Sequence, residues 1–349
     1  MKILLVTHHW HTNSHHSKSS GYERIAYYLA KNNNIDVLTC GADNYLKKEN
    51  NINIIFKKGP SSNIFFEKRL MLSYRAIKIA KNYDLIHCLY SDPGFLLSIK
   101  YPIITTEHNL PEIDNSLWMK YKSIIQKPTL KKSKLIIAVS DNLKSIIKKK
   151  YNKNTIFIPH GVDIHSFKPG HFSIKEKMRI TKNKFKYISL SCGIQGVNSD
   201  VFQKVTERFP EILFIVIGRK EKTNKINNIL NLQNVSEKDL IFYYQISDFC
   251  FKPLKFATAN NAVLEAMAME KVTLTNKILG ITDYLDEKCS YLAKNNEEFY
   301  TLIKLMIKNP KDKFQKEKNA REKALKYFSW EVISSKISYL YNDFVENKK

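Results

Sequence analysis

The stretch ATANNAVLEAMAMEKVTLTN, residues 257–276, carries a carboxylate, Glu265, among small residues at helical spacing, followed by a short β-branched strand. The pattern predicts a helix starting about Asn260. Thr258, Ala259, Asn260 and Asn261 are small enough to leave first-turn N–H groups open to a phosphate or a sugar oxygen, which the helix dipole also favours. Glu265, just over one turn in, can accept paired hydrogen bonds from a cis-diol such as a ribose. The alternative is a glutamate that does no more than interact with the helix dipole.

Other candidates sit where apolar runs end. After KILLVTHHW comes a loop with His8, His9, His11, His15 and His16, closing on SSGYER. Gly21 opens the helix that follows, and a glycine there lets a ligand approach the backbone; an ordinary loop and helix start is the alternative. Without His-x3-His on a helix or paired cysteines, no metal is expected. His108, followed by Asn109 and Pro111, ends the run PIITTE, where a histidine can exchange a proton with a substrate hydroxyl. A histidine satisfied within the protein is the alternative. His160-Gly161-Val162-Asp163 reads by itself as a turn.

The 349 residues, with 43% hydrophobic content, suit two domains with real cores. No run of about 20 apolar residues predicts a membrane span, and the N-terminus is too short in apolar residues for a signal peptide. Five scattered cysteines without a CxxC pair fit reduced thiols in a cytoplasm. The formal net charge is +24. Arginine is scarce beside lysine and no nucleic-acid-binding motif is present, so no nucleic acid partner is expected. Residues 120–154 hold eleven lysines against one acid, Asp141. Such a field can rest on an anionic membrane at the inner face of the cell; a solvated helix face is the alternative.

Strands alternate with helices. KILLVTHHW, IDVLTCG, INIIFKK, DLIHCLY, PIITTEH, LIIAVS and TIFIPHG are nearly continuous apolar runs, the pattern of a parallel sheet covered on both faces. Asp141 is placed to cap the helix DNLKSIIKKK. After a break with Pro169 and Gly170 a second series begins: KYISLSCG, a helix from Ser199 to Phe209, EILFIVIG, a helix near Asn224, SDFCFKPL, VTLTN and SYLAK, then a helical tail. The expected fold is α/β, two Rossmann-like doubly wound domains facing a cleft.

Six motifs, in order, make the chain resemble the family 4 (group 1) glycosyltransferases of GT-B fold. They are SGYER, TEH, AVSDNLKSII, FIPHGVDIHSF, the VLEAMA helix with VTLTNKILGITDYL after it, and YFSW. The resemblance implies an acceptor-binding domain over 1–165, a nucleotide-sugar-binding domain over 166–326, and a C-terminal helix over 327–349 crossing back onto the first. It implies that Glu265 holds the donor ribose and that Asn260, Asn261, Ala262 and Val263, with Thr258 ahead of them, meet the sugar or diphosphate. Gly21 would lie near the diphosphate and acceptor with Tyr22 and Glu23 beside it, Gly193 at the donor, and His108 by the sugar with Asn109 on the acceptor side. Sugar transfer with retention of configuration, no metal and no cofactor beyond the nucleotide-sugar substrate follow from it too.

Three departures matter. The second glutamate common in the family, eight residues ahead of the first, is Ala257 here; a subset of the family resembles this TANNAVLEAMA form. The arginine and lysine expected after the first strand of the second domain are missing from SCGIQGVNSD. A departing diphosphate needs compensating charge, and Lys252, Lys255, Arg219 and Lys220 are the basic residues at strand ends, with Lys255 preferred. The glycine and proline after EAMA are Glu270 and Val272. The expected function is transfer of a hexose from a nucleotide-diphosphate sugar to a glycan or lipid-linked acceptor, in bacterial surface polysaccharide synthesis. The alternatives are a degenerate, non-catalytic binding subunit of GT-B fold and a nucleotide-sugar epimerase.

Overall fold

Runs of aliphatic residues too apolar to leave either face in water become strands paired in parallel, with helices over both faces. The computed structural model describes residues 1–8, 10, 24–41, 43–59, 65–170, 174–181, 184–193, 195–222 and 227–346. Two units divide them: one holds the described residues up to Gly161 and from Trp330 onward, the other those from Val162 to Ser329.

The first unit runs β1 (Lys2–Val6), α1 (Ile25–Leu29), β2 (Asn34–Gly41), β3 (Tyr45–Glu49), β4 (Ile52–Lys58), α2 (Phe65–Ile79), β5 (Leu85–Cys88), α3 (Leu97–Lys100), β6 (Ile104–Glu107), α4 (Leu117–Lys132), β7 (Leu135–Ala138), α5 (Asp141–Tyr151) and β8 (Thr155–Phe157). Its sheet has the order β3-β4-β2-β1-β5-β6-β7-β8. Only the β3–β4 pairing there is antiparallel. Alternate residues of β1 feed opposite cores: Ile3 and Leu5 join Ile35, Val37 and Ile104, while Leu4 and Val6 join Leu38, Leu72 and Ile86. The chain leaves β1 towards β2 on one side and reaches β5 on the other, so the topological switch point lies between β1 and β5.

The second unit runs α6 (Ile174–Thr181), β9 (Tyr187–Cys192), α7 (Ser199–Arg208), β10 (Ile212–Ile217), β11 (Ile229–Leu232), α8 (Glu237–Ile246), β12 (Phe249–Lys252), α9 (Asn261–Ala268), β13 (Thr273–Asn276), β14 (Ser290–Ala293), α10 (Glu298–Lys308) and α11 (Pro310–Lys323). Its sheet, β11-β10-β9-β12-β13-β14, is parallel throughout, and its switch point falls between β9 and β12. The α/β reading of both halves therefore holds, doubly wound in each.

Some elements differ from the sequence reading. Ser140, not Asp141, caps α5: its hydroxyl accepts from the Leu143 N–H at 3.2 Å, and Asp141 is the first helical residue. A serine in extended backbone suits the cap, while an aspartate one place on still favours the positive helix end. The strands β3 and β11 and the helices α2 and α4 were not anticipated, and the helix expected near Asn224 lies outside the described residues.

The last helix, α12 (Trp330–Glu346), packs within the first unit. Trp330 sits against Gly161, where any Cβ would overlap the indole ring, so the glycine of the HGVD turn answers to the tryptophan of YFSW. Deeper in, Tyr341 Oη lies 2.6 Å from His87 Nδ1, and Thr106 Oγ1 lies 2.7 Å from Nε2. Burial pushes the His87 pKa down to about 3. The folded state thus binds fewer protons here than the unfolded chain, so stability from this residue is present at neutral pH and is lost as pH falls below 6.5. Between pH 7 and pH 5 it should cost about 2 kcal/mol. NMR of the ring should show neutral imidazole down to pH 5; a titration near pH 6.5 would contradict the account.

Candidate functional site

In the second unit the carboxyl ends of β9 and β12 flank the switch point, where open α/β sheets bind ligands. The chain turns after β9 at Gly193, whose φ of +81° favours a residue without Cβ. Two cations pin this turn. Lys252 Nζ, from the last residue of β12, donates to the Cys192 carbonyl at 2.5 Å. Arg219, after β10, donates through Nη1 to the Gly193 carbonyl at 3.0 Å and through Nη2 to Ser191 Oγ at 2.9 Å, with Nε on Glu221 Oε1 at 2.7 Å. A Cβ on Gly193 would stand 3.1 Å from Lys252 Nζ, so the ammonium lies directly over the turn. Burial drives the Lys252 pKa down to about 8, Arg219 adds to the lowering, and Cys192 and Glu265 oppose it.

Helix α9 starts where expected. Asn260 is its N-cap, with Oδ1 accepting from Val263 N–H at 3.4 Å. The Val263 N–H also meets the Asn260 carbonyl at 3.1 Å, so this donor is committed to the cap. Thr258 is buried, and Asn261 and Ala262 are half-buried. Glu265 Oε2 accepts from Tyr244 Oη at 3.0 Å, a hydroxyl that also reaches the Ala262 carbonyl at 3.1 Å. Tyr244 is buried at the end of α8 with its ring edge-on to Phe167, and burial, with Cys192 and Glu265 nearby, raises its pKa well above the usual range. The hydroxyl keeps its proton, which lies between the Ala262 carbonyl and Glu265, and it anchors one oxygen of that carboxylate. Tyr244 was missed by sequence reasoning; nothing in YYQISDF separates it from half-buried Tyr243.

The departures take structural form. Ala257 is packed into the apolar core of the second unit, with its carbonyl close against Gly280. Glu270 adopts φ +53°, so the left-handed turn that suits a glycine after a helix is kept with a side chain on it. Of the proposed cations, Lys255 and Lys220 are exposed, and the Lys255 backbone N–H donates to the Gly196 carbonyl at 2.7 Å. The structure brings Gly193, Arg219, Lys252 and Glu265 into one neighbourhood and leaves Lys255 and Lys220 in solvent.

In the first unit, Gly21, Tyr22 and Glu23 lie outside the described residues. His108 follows β6, stacked on Tyr90 with ring centroids 4.4 Å apart. Its Nε2 lies 2.8 Å from the Leu89 carbonyl, so Nε2 carries the proton, and Nδ1 accepts from His160 Nε2 at 3.0 Å. Burial, then His160, lowers the His108 pKa well below the usual range, so the ring is a neutral donor–acceptor rather than a cation. Glu107 beneath it accepts from the N–H groups of His108 and Asn109, from Gln126 at 2.8 Å and from Ser91 at 2.5 Å. Asn109 is also tied to Asp114, through its Nδ2 at 3.4 Å. A second buried carboxylate, Asp92, pairs with Arg69 at 2.7 Å and Lys122 at 3.4 Å, which takes Lys122 out of the expected lysine field. These polar groups escaped the sequence reading because they come from five separated segments. Among the described residues no group of three His, Cys, Asp or Glu side chains could hold a metal ion, and no helix is long and apolar enough to cross a membrane.

The family described as Glycosyltransferase Family 4 matches residues 20–166, and that described as Glycosyl transferases group 1 matches residues 197–326. No curated protein sequence matches the chain. Among solved structures, sucrose-phosphate synthase from Thermosynechococcus elongatus aligns with a TM-score of 0.82 at 16% identity, over 99% of this chain and 99% of that one. HepE from Anabaena, solved with UDP and glucose, gives 0.75 at 14% identity over 98% and 99%. α,α-Trehalose 6-phosphate synthase from Burkholderia multivorans gives 0.77 at 10% over 99% and 99%. At these identities the likeness is one of fold. With both family matches in order along two doubly wound units, the chain belongs to the family 4, group 1 glycosyltransferases of GT-B fold.

Proposed function

We propose that the protein transfers a hexose from a nucleotide-diphosphate sugar to a glycan or lipid-linked acceptor with retention of configuration, in bacterial surface polysaccharide synthesis. The observation that carries this is the pairing, at one switch point, of an oriented carboxylate with a buried ammonium: Glu265 fixed by Tyr244, and Lys252 over the Gly193 turn. A carboxylate anchored through one oxygen leaves the other to meet a ribose diol, and a desolvated cation suits a diphosphate. HepE was also solved with UDP-glucose, which supports a nucleotide sugar as donor here.

In the reaction the bond from the anomeric carbon to the diphosphate oxygen breaks and one from that carbon to the acceptor oxygen forms on the same face. The acceptor proton passes to the leaving phosphate, so no protein nucleophile is needed. The chain contributes position and charge. His108, neutral and oriented, is the proposed partner of a sugar hydroxyl. The proposed setting is the cytoplasm, on the inner face of the membrane where lipid-linked acceptors reside.

Burial of Ala257 in the core and the full engagement of Arg219 favour a second reading, a non-catalytic subunit. A thermal-shift screen with UDP-, GDP-, ADP- and dTDP-sugars separates the two. One of these, at about 100 times its Kd, should stabilise the protein by about 2.7 kcal/mol. Turnover with an acceptor extract should follow; donor binding without turnover supports the subunit, and no binding by any donor overturns the transferase reading.

A further inference from the structure

Helix α4 is turned inside out for a helix on the surface of an α/β domain. Its inward face buries Ser123, Gln126 and Thr129 alongside Met119, Ile125 and Leu130. Its outward face shows Leu117 at 83% exposure, Trp118 at 52%, Tyr121 at 42% and Ile124 at 60%. Leu117, Tyr121, Ile124 and Pro128 follow spacings of four, three and four, which is one stripe along a helix. Trp118 flanks the stripe, its ring 6.4 Å from that of Tyr121. Lys120, Lys127 and Lys131 run along the other flank, all exposed. No acid occurs between Asp114 and Asp141.

Four large apolar side chains on two turns exceed the scattered exposure a surface helix normally shows. The inward polar groups explain why packing does not demand them: Gln126 holds Glu107 and the Asn109 carbonyl, and Thr129 bonds back to the Ile125 carbonyl. An aromatic pair and aliphatic residues beside an unbroken row of cations match the boundary of an anionic bilayer, where rings sit among headgroups and ammonium groups meet phosphates.

We propose that this face of α4 docks on an anionic lipid bilayer. Leu117, Trp118, Tyr121 and Ile124 enter the boundary between headgroups and acyl chains, and Lys120, Lys127 and Lys131 rest on the phosphates. The inference deepens the membrane setting proposed above. It is separable from the transferase reading, because vesicle binding needs neither donor nor acceptor.

The test is co-sedimentation of the full chain with vesicles of phosphatidylcholine alone or mixed with phosphatidylglycerol. Mixed vesicles should bind it at least tenfold more tightly. Changing Leu117, Trp118 and Ile124 to serine together should weaken that binding by tenfold or more, with donor-induced thermal shifts unchanged. Changing the three lysines to glutamine should cost about fivefold each. Brominated acyl chains should quench the wild type but not Trp118→Phe. Equal binding by the serine variant, no preference for anionic vesicles, or no quenching overturns the proposal. So does a dimer in sedimentation velocity that the serine changes abolish, which would assign the face to a second copy of the chain.

Discussion

Lys252→Met is expected to leave the melting temperature unchanged or a few degrees higher while weakening nucleotide-sugar binding about a hundredfold. The opposed signs come from one fact. Lys252 is buried with no carboxylate within ion-pair distance among the described residues, its ammonium resting on the Cys192 carbonyl, and burial has brought its pKa from 10.5 to about 8. That shift corresponds to about 3 kcal/mol set against folding at neutral pH. Methionine has similar reach and carries no such penalty, so the fold gains or breaks even. A diphosphate loses the one desolvated ammonium over the Gly193 turn, a loss of the size seen when a preorganised charge is removed from a dry site. The pH dependence adds a second signature. The folded pKa is depressed, so the unbound protein sheds this proton above about pH 8; nucleoside diphosphate affinity should then fall by up to tenfold per pH unit above that value. The methionine variant should lose this dependence. Calorimetric titration at pH 7 and pH 9 on both proteins decides it. Affinity within about threefold of wild type, with an unaltered pH profile, would make Lys252 a scaffold for the turn and return attention to exposed Lys255.

The parallel sheets were legible because their strands are buried on both faces, which writes apolar runs into the sequence; β1, β9 and β10 are such runs. The strand β3, YLKKE, is an edge strand open to water and antiparallel to β4, and its two apolar residues, Tyr45 and Leu46, are adjacent and exposed, so no apolar run or alternation marks it. The helix α4 hid for two reasons. Its inward residues are half polar, so its periodicity is confused, and Pro128 inside it reads as a break. Proline there forgoes one donor and frees the carbonyl of exposed Ile124, which water can serve. At the candidate site, Asn260 and Glu265 were legible because a cap and a carboxylate one turn later are local. Lys252 could be named only as one of four strand-end cations. Lys252 and Lys255 are three residues apart and chemically identical, and only the strand end decides that one is swallowed and the other solvated. Tyr244 was beyond reach for the same reason: its partner lies 21 residues away on another helix.

Glu265→Gln is expected to weaken binding of a ribonucleotide sugar by about thirtyfold, and turnover with it, without unfolding the second unit. Glutamine keeps the length and an oxygen for Tyr244 Oη to meet, so the local structure survives. It lacks the second anionic acceptor, and hydrogen bonds to a charged partner contribute about 1.5–3 kcal/mol. The ribose assignment makes a sharper demand than loss of affinity. If the carboxylate holds the two ribose hydroxyls, the wild type should prefer the ribose donor over its 2′-deoxy counterpart, and the variant should show little preference. The mutation and the missing hydroxyl then remove the same interaction, and their effects should fall well short of additive. Tyr244→Phe provides the intermediate case. It frees the carboxylate to rotate without removing it, so affinity should drop by about threefold to tenfold with the ribose preference retained. Isothermal titration of three proteins against two donors gives the full comparison. If Glu265→Gln lowers affinity for ribose and 2′-deoxyribose donors by the same factor, the carboxylate acts through the helix or the local field, and the diol must be held elsewhere.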